Sequence, residues 1–199
     1  MLARALLATL LGAIVLMIWG AVYWTVLPFG NYVMSGAEDE VALTEALDDT
    51  LPESGVYVVP WRGETTSGEH SRAADQIWAE RHRRGPIAHV FYREDGAEPM
   101  AASVFLGGFV NMFTSTLIAV GVLVLGLPIW PRYGQRVLVV FLLGLFAAVT
   151  VELSAPIWFY HAWDYHAYQA LYHVGGWLLV GLAIAGLVKP EPVTPGFEA

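Results

Sequence analysis

Polar positions along this chain leave four long stretches without a single charge. No charged residue lies between Arg4 and Glu38, between Glu98 and Arg132, between Arg136 and Glu152, or between Asp164 and Lys189. An apolar helix of about 20 residues is long enough to cross the hydrocarbon core of a bilayer. Helices buried in a water-soluble protein seldom reach such lengths without a polar face. The pattern therefore predicts four membrane spans, at about 5–27, 103–127, 136–159 and 165–187. The first run begins as a signal peptide does, with Arg4 ahead of an apolar core. That core is too long for a signal, and no small-x-small cleavage site follows it. "AVYWTVLPFG" closes the run with aromatic rings and a proline, so it reads as an uncleaved anchor.

The pattern changes between the first two spans. "AEDEVALTEALDD" has the spacing of a short amphipathic helix, with Ser35 or an early acidic residue near its start. "SGVYVVPW" is β-branched and aromatic, follows Gly55 and stops at Pro60, which predicts a strand. "SRAADQIWAERHRRG" predicts a helix ending at Gly85, with arginines in its last turn. "PIAHVFYRE" predicts a second strand, "DGAEP" a turn, and "MAASVFL" either a third strand or the start of span two. The expected fold class is a membrane all-α protein: a four-helix bundle carrying a small extracytoplasmic α+β cap, with a hairpin, between helices one and two. The expected organisation is an anchor at 1–27, an acidic cap at 28–102, a three-helix membrane segment at 103–188 and a Pro-rich tail at 189–199.

Composition sharpens this picture. Hydrophobic residues make up 56% of the chain and charged residues only 14%, well below the roughly 25% of a soluble domain. Segment 28–102 holds the whole net charge of −8. An acidic exterior argues against nucleic acid as a partner. Arg4, Arg132, Arg136 and Lys189 flank the spans on one side. The positive-inside rule makes that side cytoplasmic, so both termini are expected in the cytoplasm of a bacterial inner membrane and the cap outside it. There are no cysteines, which removes disulfides, thiolate nucleophiles and thiolate metal sites.

Candidate chemistry lies in the polar residues that a bilayer should exclude. Gly144, Ala148 and Glu152 share one face of span three, as four-residue spacing requires. His166, Gln169, His173 and Gly176 form a stripe on span four. Gly107, Asn111 and Thr114/Ser115 form one on span two. With a rise of about 1.5 Å per residue, Asn111 and His173 lie roughly 12 Å inside their spans and Glu152 about 9 Å. These depths predict that Asn111, Glu152 and His173 meet. Pro156 has no N–H to give the carbonyl of Glu152, so a kink is expected nearby. The cluster has a plain reading, as interhelical glue, and a functional one, as a proton relay, cation site or ligand pocket.

"WFYHAWDYH", residues 158–166, joins spans three and four. Its aromatic rings suit the membrane interface. His161, Asp164 and His166 offer two imidazoles and a carboxylate, a set that can hold a divalent metal. The simpler reading makes Asp164 the N-cap of the last helix. No cofactor is predicted, although His173 could contact a haem or another pigment. His70, His82 and His89 have no ligand spacing and are expected to be solvated or interfacial. The pairs Gly107-Gly108 and Gly175-Gly176 suggest close helix packing.

"SGVYVVPW", "GPIAHVFYREDGAEPM" and "FLGGFVNMF", within Leu51 to Thr116, resemble segments of a group of uncharacterised bacterial inner-membrane proteins. The resemblance implies one anchor, an outer segment with a G-V-Y-x-x-P strand and three further spans. It implies no activity and no catalytic residue. The expected role is a non-catalytic accessory or scaffold subunit, embedded in lipid and packed against other integral membrane subunits. Small residues on spans one and four (Ala8, Gly12, Gly20, Gly181, Ala185) would receive the neighbouring helices. The alternatives are a small transporter, proton-linked protein or membrane enzyme built on Asn111, Glu152 and His173, and an outer-facing sensor or binding protein.

Overall fold

The structure, a computed structural model, describes residues 1–63 and 72–190. His70 and the tail 191–199 lie outside the described residues. Two compact units are present: Met1–Ser35 joined with the chain from Met100 onward, and Gly36–Pro99.

The first unit is helical. Helix α1, Leu2–Ala21, runs on into a π-helical turn, Val22–Val26, and a short helix α2 follows at Gly30–Val33. In the second unit lie α3, Glu40–Thr50, β1, Gly55–Val59, α4, Arg72–Arg84, and β2, Ala88–Tyr92. The chain then returns to the first unit. Helix α5 spans Ala102–Leu125 and α6 spans Tyr133–Ala147. A second π-helical turn, Ala148–Glu152, leads into α7, Ser154–Phe159. Helix α8, Trp163–Ile184, closes the bundle.

Four stretches are long and apolar enough to cross a membrane: Leu2–Val26, Ala102–Leu125, Tyr133–Phe159 and Trp163–Ile184. The chain is a multi-pass membrane protein. Only 22% to 28% of each span's most apolar window is buried within the protein. The remainder faces lipid, which is as apolar as leucine and gives helices no hydrophobic reason to associate. Close packing and hydrogen bonds must hold the bundle instead.

Helix α1 lies against both α5 and α8, and α6 lies against α8. Glycine makes these approaches possible. A Cβ on Gly144 would come within 2.2 Å of Trp177, and one on Gly12 within 2.3 Å of Thr116. Gly176 receives Trp19 and Leu16, and Gly181 meets the backbone of Val137. Leu123, Ile184, Val120, Val140 and Val180 fill the centre. Ala8 and Ala185 are fully buried among these helices. The small residues expected to receive outside helices are thus occupied within the chain. Gly107 and Gly108 correct a second expectation, because nothing lies within 4 Å of either Cβ position.

Hydrogen bonds complete the bundle. Tyr23 donates to the carbonyl of Tyr168 at 2.7 Å, and Tyr168 donates back to that of Tyr23 at 3.0 Å. Their rings stack with centroids 4.6 Å apart. Trp19 Nε1 donates to the carbonyl of Tyr172 at 2.9 Å. At the other end of α8, Arg136 is only 4% exposed. Its guanidinium donates to the carbonyls of Ala185, Trp130 and Pro131 at 3.0, 3.0 and 2.7 Å. A cation beside a helix C-terminus satisfies carbonyls that have no partner within the helix.

The second unit is an α+β element with a two-stranded antiparallel sheet that pairs Gly55 with Tyr92 and Val59 with Ala88. Helix α4 separates the two strands in sequence, so they are not a hairpin. "MAASVFL" forms no third strand. It opens α5 after a left-handed residue, Met100, at φ 59°. Asp39 caps α3 by accepting from the Ala42 amide at 3.0 Å. Arg62 pairs with Asp75 at 2.9 Å and lies over the Trp78 ring. Tyr92 donates to Asp48 at 2.7 Å, and that bond is the main reason its phenol is pushed up to about 12.

Candidate functional site: an imidazole–carboxylate chain

Glu152 ends the π-helical turn between α6 and α7, and its side chain is 8% exposed. Pro156 lies four residues on, where an amide would normally bond the Glu152 carbonyl. The expected kink therefore takes the form of a widened turn. Turns of this kind re-aim a side chain and are frequent at functional sites. Gly144 and Ala148, on the approach to Glu152, are buried, and Gly144 admits Trp177 of α8. This close contact brings the carboxylate onto the face of α8.

Two histidines of α8 converge on it. His166 Nδ1 lies 3.0 Å from Glu152 Oε2, and His173 Nε2 lies 3.2 Å from Oε1. The two histidines are seven residues apart, about 10 Å along a helix, so the carboxylate enters between their turns. A third imidazole extends the line, with His161 Nδ1 lying 3.1 Å from His166 Nε2 and the two rings stacked at 5.2 Å. His161 belongs to the connection between α7 and α8, which is held by a left-handed Tyr160 at φ 59°. Hydrogen bonds therefore join His161, His166 and Glu152 in series, and His173 approaches the other carboxylate oxygen at ion-pair distance.

An ionised carboxylate only accepts, and with Glu152 in that form His166 donates to it through Nδ1 and His161 donates to His166 Nε2 through Nδ1.

His173 also faces a cleft of about 260 Å³. Helix α5 supplies Asn111, Met112 and Ser115 to its wall, and α8 supplies Tyr172, His173 and Trp177. Leu16 and Ala147 complete it. Helices α5 and α6 make few contacts with each other. Asn111, an exposed residue, thus shares this space with His173, whereas Glu152 is hydrogen-bonded to His166 and paired with His173. Gln169, between them on α8, donates to the Tyr165 hydroxyl at 3.3 Å. Its buried Oε1 has no hydrogen-bond partner.

The histidines of the metal expectation are adjacent, but Asp164 is not with them. Its Oδ1 accepts from the amide of Tyr165 at 2.8 Å. Among the described residues no group of three or more His, Asp or Glu is placed to hold a metal ion. Asp164 is also not the N-cap: that position is Ala162, and Asp164 sits within the first turn of α8. A carboxylate there still favours the positive end of the helix. In the second unit, His82 packs beside Trp78 at 5.1 Å. His166 is the residue whose part in the site the sequence undervalued. Its signal was a place seven residues before His173, on the same face as Glu152's partner.

Fold and site together define a membrane-embedded helical bundle with a buried imidazole–carboxylate chain. Comparison with protein-family models, with curated proteins and with solved structures found no match for this chain.

Proposed function

We propose that this protein exchanges protons between one face of the membrane and a molecule held in the cleft, as a proton-linked protein or membrane enzyme. One observation carries the reading: His161, His166 and Glu152 are joined by hydrogen bonds of 3.1 and 3.0 Å, and His173 lies 3.2 Å from the same carboxylate, within apolar spans. Ionisable groups at membrane depth are expensive, and they mark proton and substrate paths. Interhelical glue needs one bonded pair, whereas two further imidazoles flank this one. The unmatched Oε1 of Gln169 also argues against a purely structural network, whose buried polar atoms are normally all paired.

The path is one-sided. Beyond the cleft come Val120 and Leu123 of α5, Val140 of α6, and Val180 and Ile184 of α8, all buried and apolar, and no imidazole or carboxylate among the described residues of the spans lies in that part. The relay therefore serves the end that carries the α7–α8 connection. We take that end as the outer one, because Arg4, Arg132, Arg136 and Lys189 flank the spans at the other. A haem on His173 draws no support from this geometry, since its Nε2 is committed to Glu152. The small residues offered for a scaffold role are occupied inside the bundle, which removes one support for that role.

Infrared spectroscopy on oriented proteoliposomes tests the relay. The carboxyl band of Glu152 is identified by its disappearance in Glu152→Gln. It is expected to follow pH changes on the side of the α7–α8 connection while pH on the other side is clamped. A band indifferent to pH on both sides would leave only glue and would overturn the proposal.

A further inference from the structure

We infer that a groove between α1, α2 and the first half of α8 seats one phospholipid with an ethanolamine headgroup, its ammonium on Asp164 and an acyl chain along α8. The groove is separate from the imidazole–carboxylate chain and holds about 600 Å³, within the roughly 300–1,000 Å³ of sites that bind small molecules. Helix α8 lines it with Asp164, Tyr168, Leu171 and Gly175, whose spacing by fours and threes keeps them on one side of a helix. Trp19 and Tyr23 form the facing wall, and Tyr32 of α2 stands at the end beyond the first span. The wall is fixed in place. Trp19 donates to the carbonyl of Tyr172 and packs where a Cβ on Gly175 would come within 2.8 Å of it. The Tyr23 ring is stacked on Tyr168.

Three observations choose the occupant. Leu171, midway along the groove, belongs to a membrane span and is 64% exposed, so the groove is open to the hydrocarbon around that span. From Asp164 to Gly175 the groove runs about 17 Å along a helix. That is close to half of a hydrocarbon core about 30 Å thick, the reach of one leaflet's acyl chain, whereas a membrane-crossing helix would need the whole. The third observation is charge. Asp164 is the only charged residue among those that line the groove. It is exposed, its Oδ1 accepts from the Tyr165 amide, and among the described residues no Lys, Arg or His pairs with it. An anionic headgroup is repelled by such a rim and finds no cation on it. A terminal ammonium brings both the opposite charge and three N–H donors for the carboxylate. A choline headgroup has the charge without the donors. The Tyr32 hydroxyl offers a hydrogen bond to the phosphate.

The test is native mass spectrometry of the full chain in detergent, stripped of lipid and titrated with palmitoyl-oleoyl phospholipids that differ only in headgroup: ethanolamine, choline or glycerol. The first ethanolamine lipid is expected to bind about fivefold more tightly than either of the others, the scale of one exposed ion pair. Asp164→Asn keeps an oxygen for the Tyr165 amide and should remove that preference without abolishing binding. Ala167→Trp fills the groove and should abolish the first binding event for every headgroup. Leu117→Trp, on an exposed face of α5, should leave it unchanged. Circular dichroism and monodispersity confirm that each variant is folded. Equal affinity for the three headgroups would reveal ordinary boundary lipid and overturn the inference. A preference that survives Asp164→Asn or Ala167→Trp would also overturn it, by placing the headgroup elsewhere on the protein. Tightest binding of the glycerol lipid would contradict the acidic rim. None of these outcomes bears on the relay, whose four residues do not line the groove.

Discussion

Arg136 shows how much one side chain can hold in a bilayer. It is buried, and three carbonyls share its guanidinium, one from the end of α8 and two from the α5–α6 connection. A charged hydrogen bond contributes about 1.5 to 3 kcal/mol, and carbonyls stripped of a partner in lipid have no water to turn to. Arg136→Met should therefore destabilise the bundle by about 3 kcal/mol, measured by unfolding in mixed micelles. Arg136→Lys should recover only part of the loss, because an ammonium lacks the planar fork that reaches three acceptors. As a sequence signal Arg136 indicated only which side of the membrane it flanks. That it is a buried cap was not legible, because its acceptors come from residues 49 positions away as well as from its own connection.

Among the elements, α6 and α8 decide the site. Their contact requires Gly144, whose missing side chain makes room for Trp177. Gly144→Ala should cost about 1 to 3 kcal/mol by overpacking, and should weaken the bonds from Glu152 to His166 and His173. Gly107→Ala is the matched control: its Cβ meets nothing, so the gain in helix propensity should leave stability equal or up to about 1 kcal/mol higher. The same unfolding assay separates them, and equal losses at the two positions would contradict the packing described. Both glycines belong to small-residue patterns in the sequence. What separates them is the presence of a partner helix, and spacing along one helix does not report that. The π-helical turn at Ala148–Glu152 was half legible: Pro156 announced a disturbance but not its form.

For the whole molecule, the imidazoles and carboxylates of the spans lie toward one end of the bundle. Buried Val120, Leu123, Val140, Val180 and Ile184 fill its middle, and Arg136 closes the other end. Proteoliposomes containing the protein alone should therefore be as tight to protons as protein-free vesicles under an imposed potential. A leak abolished by Glu152→Gln would show that the path continues through, and would replace a one-sided exchanger with a channel. The second unit, Gly36–Pro99, has a thin interior, and none of its residues is fully buried among those described, as expected of so small an element.

The sequence by itself determined the four spans, to within a few residues, and singled out Glu152 and His173, which lie 3.2 Å apart. Hydropathy and a constant rise per residue are local properties, so a single chain reports them without knowledge of its neighbours. It also indicated polar stripes on three spans, of which Glu152 of span three and His166 of span four are buried, whereas Gly107, Asn111 and Thr114 of span two are exposed. Only the tertiary structure decided which stripes meet. Helix α8 is rotated so that His166 joins His173 on the carboxylate, and α5 stands far enough from α6 for Asn111 to line a cleft rather than bond Glu152. Rotation and separation of helices follow from which small residues find a partner, and that is a property of pairs.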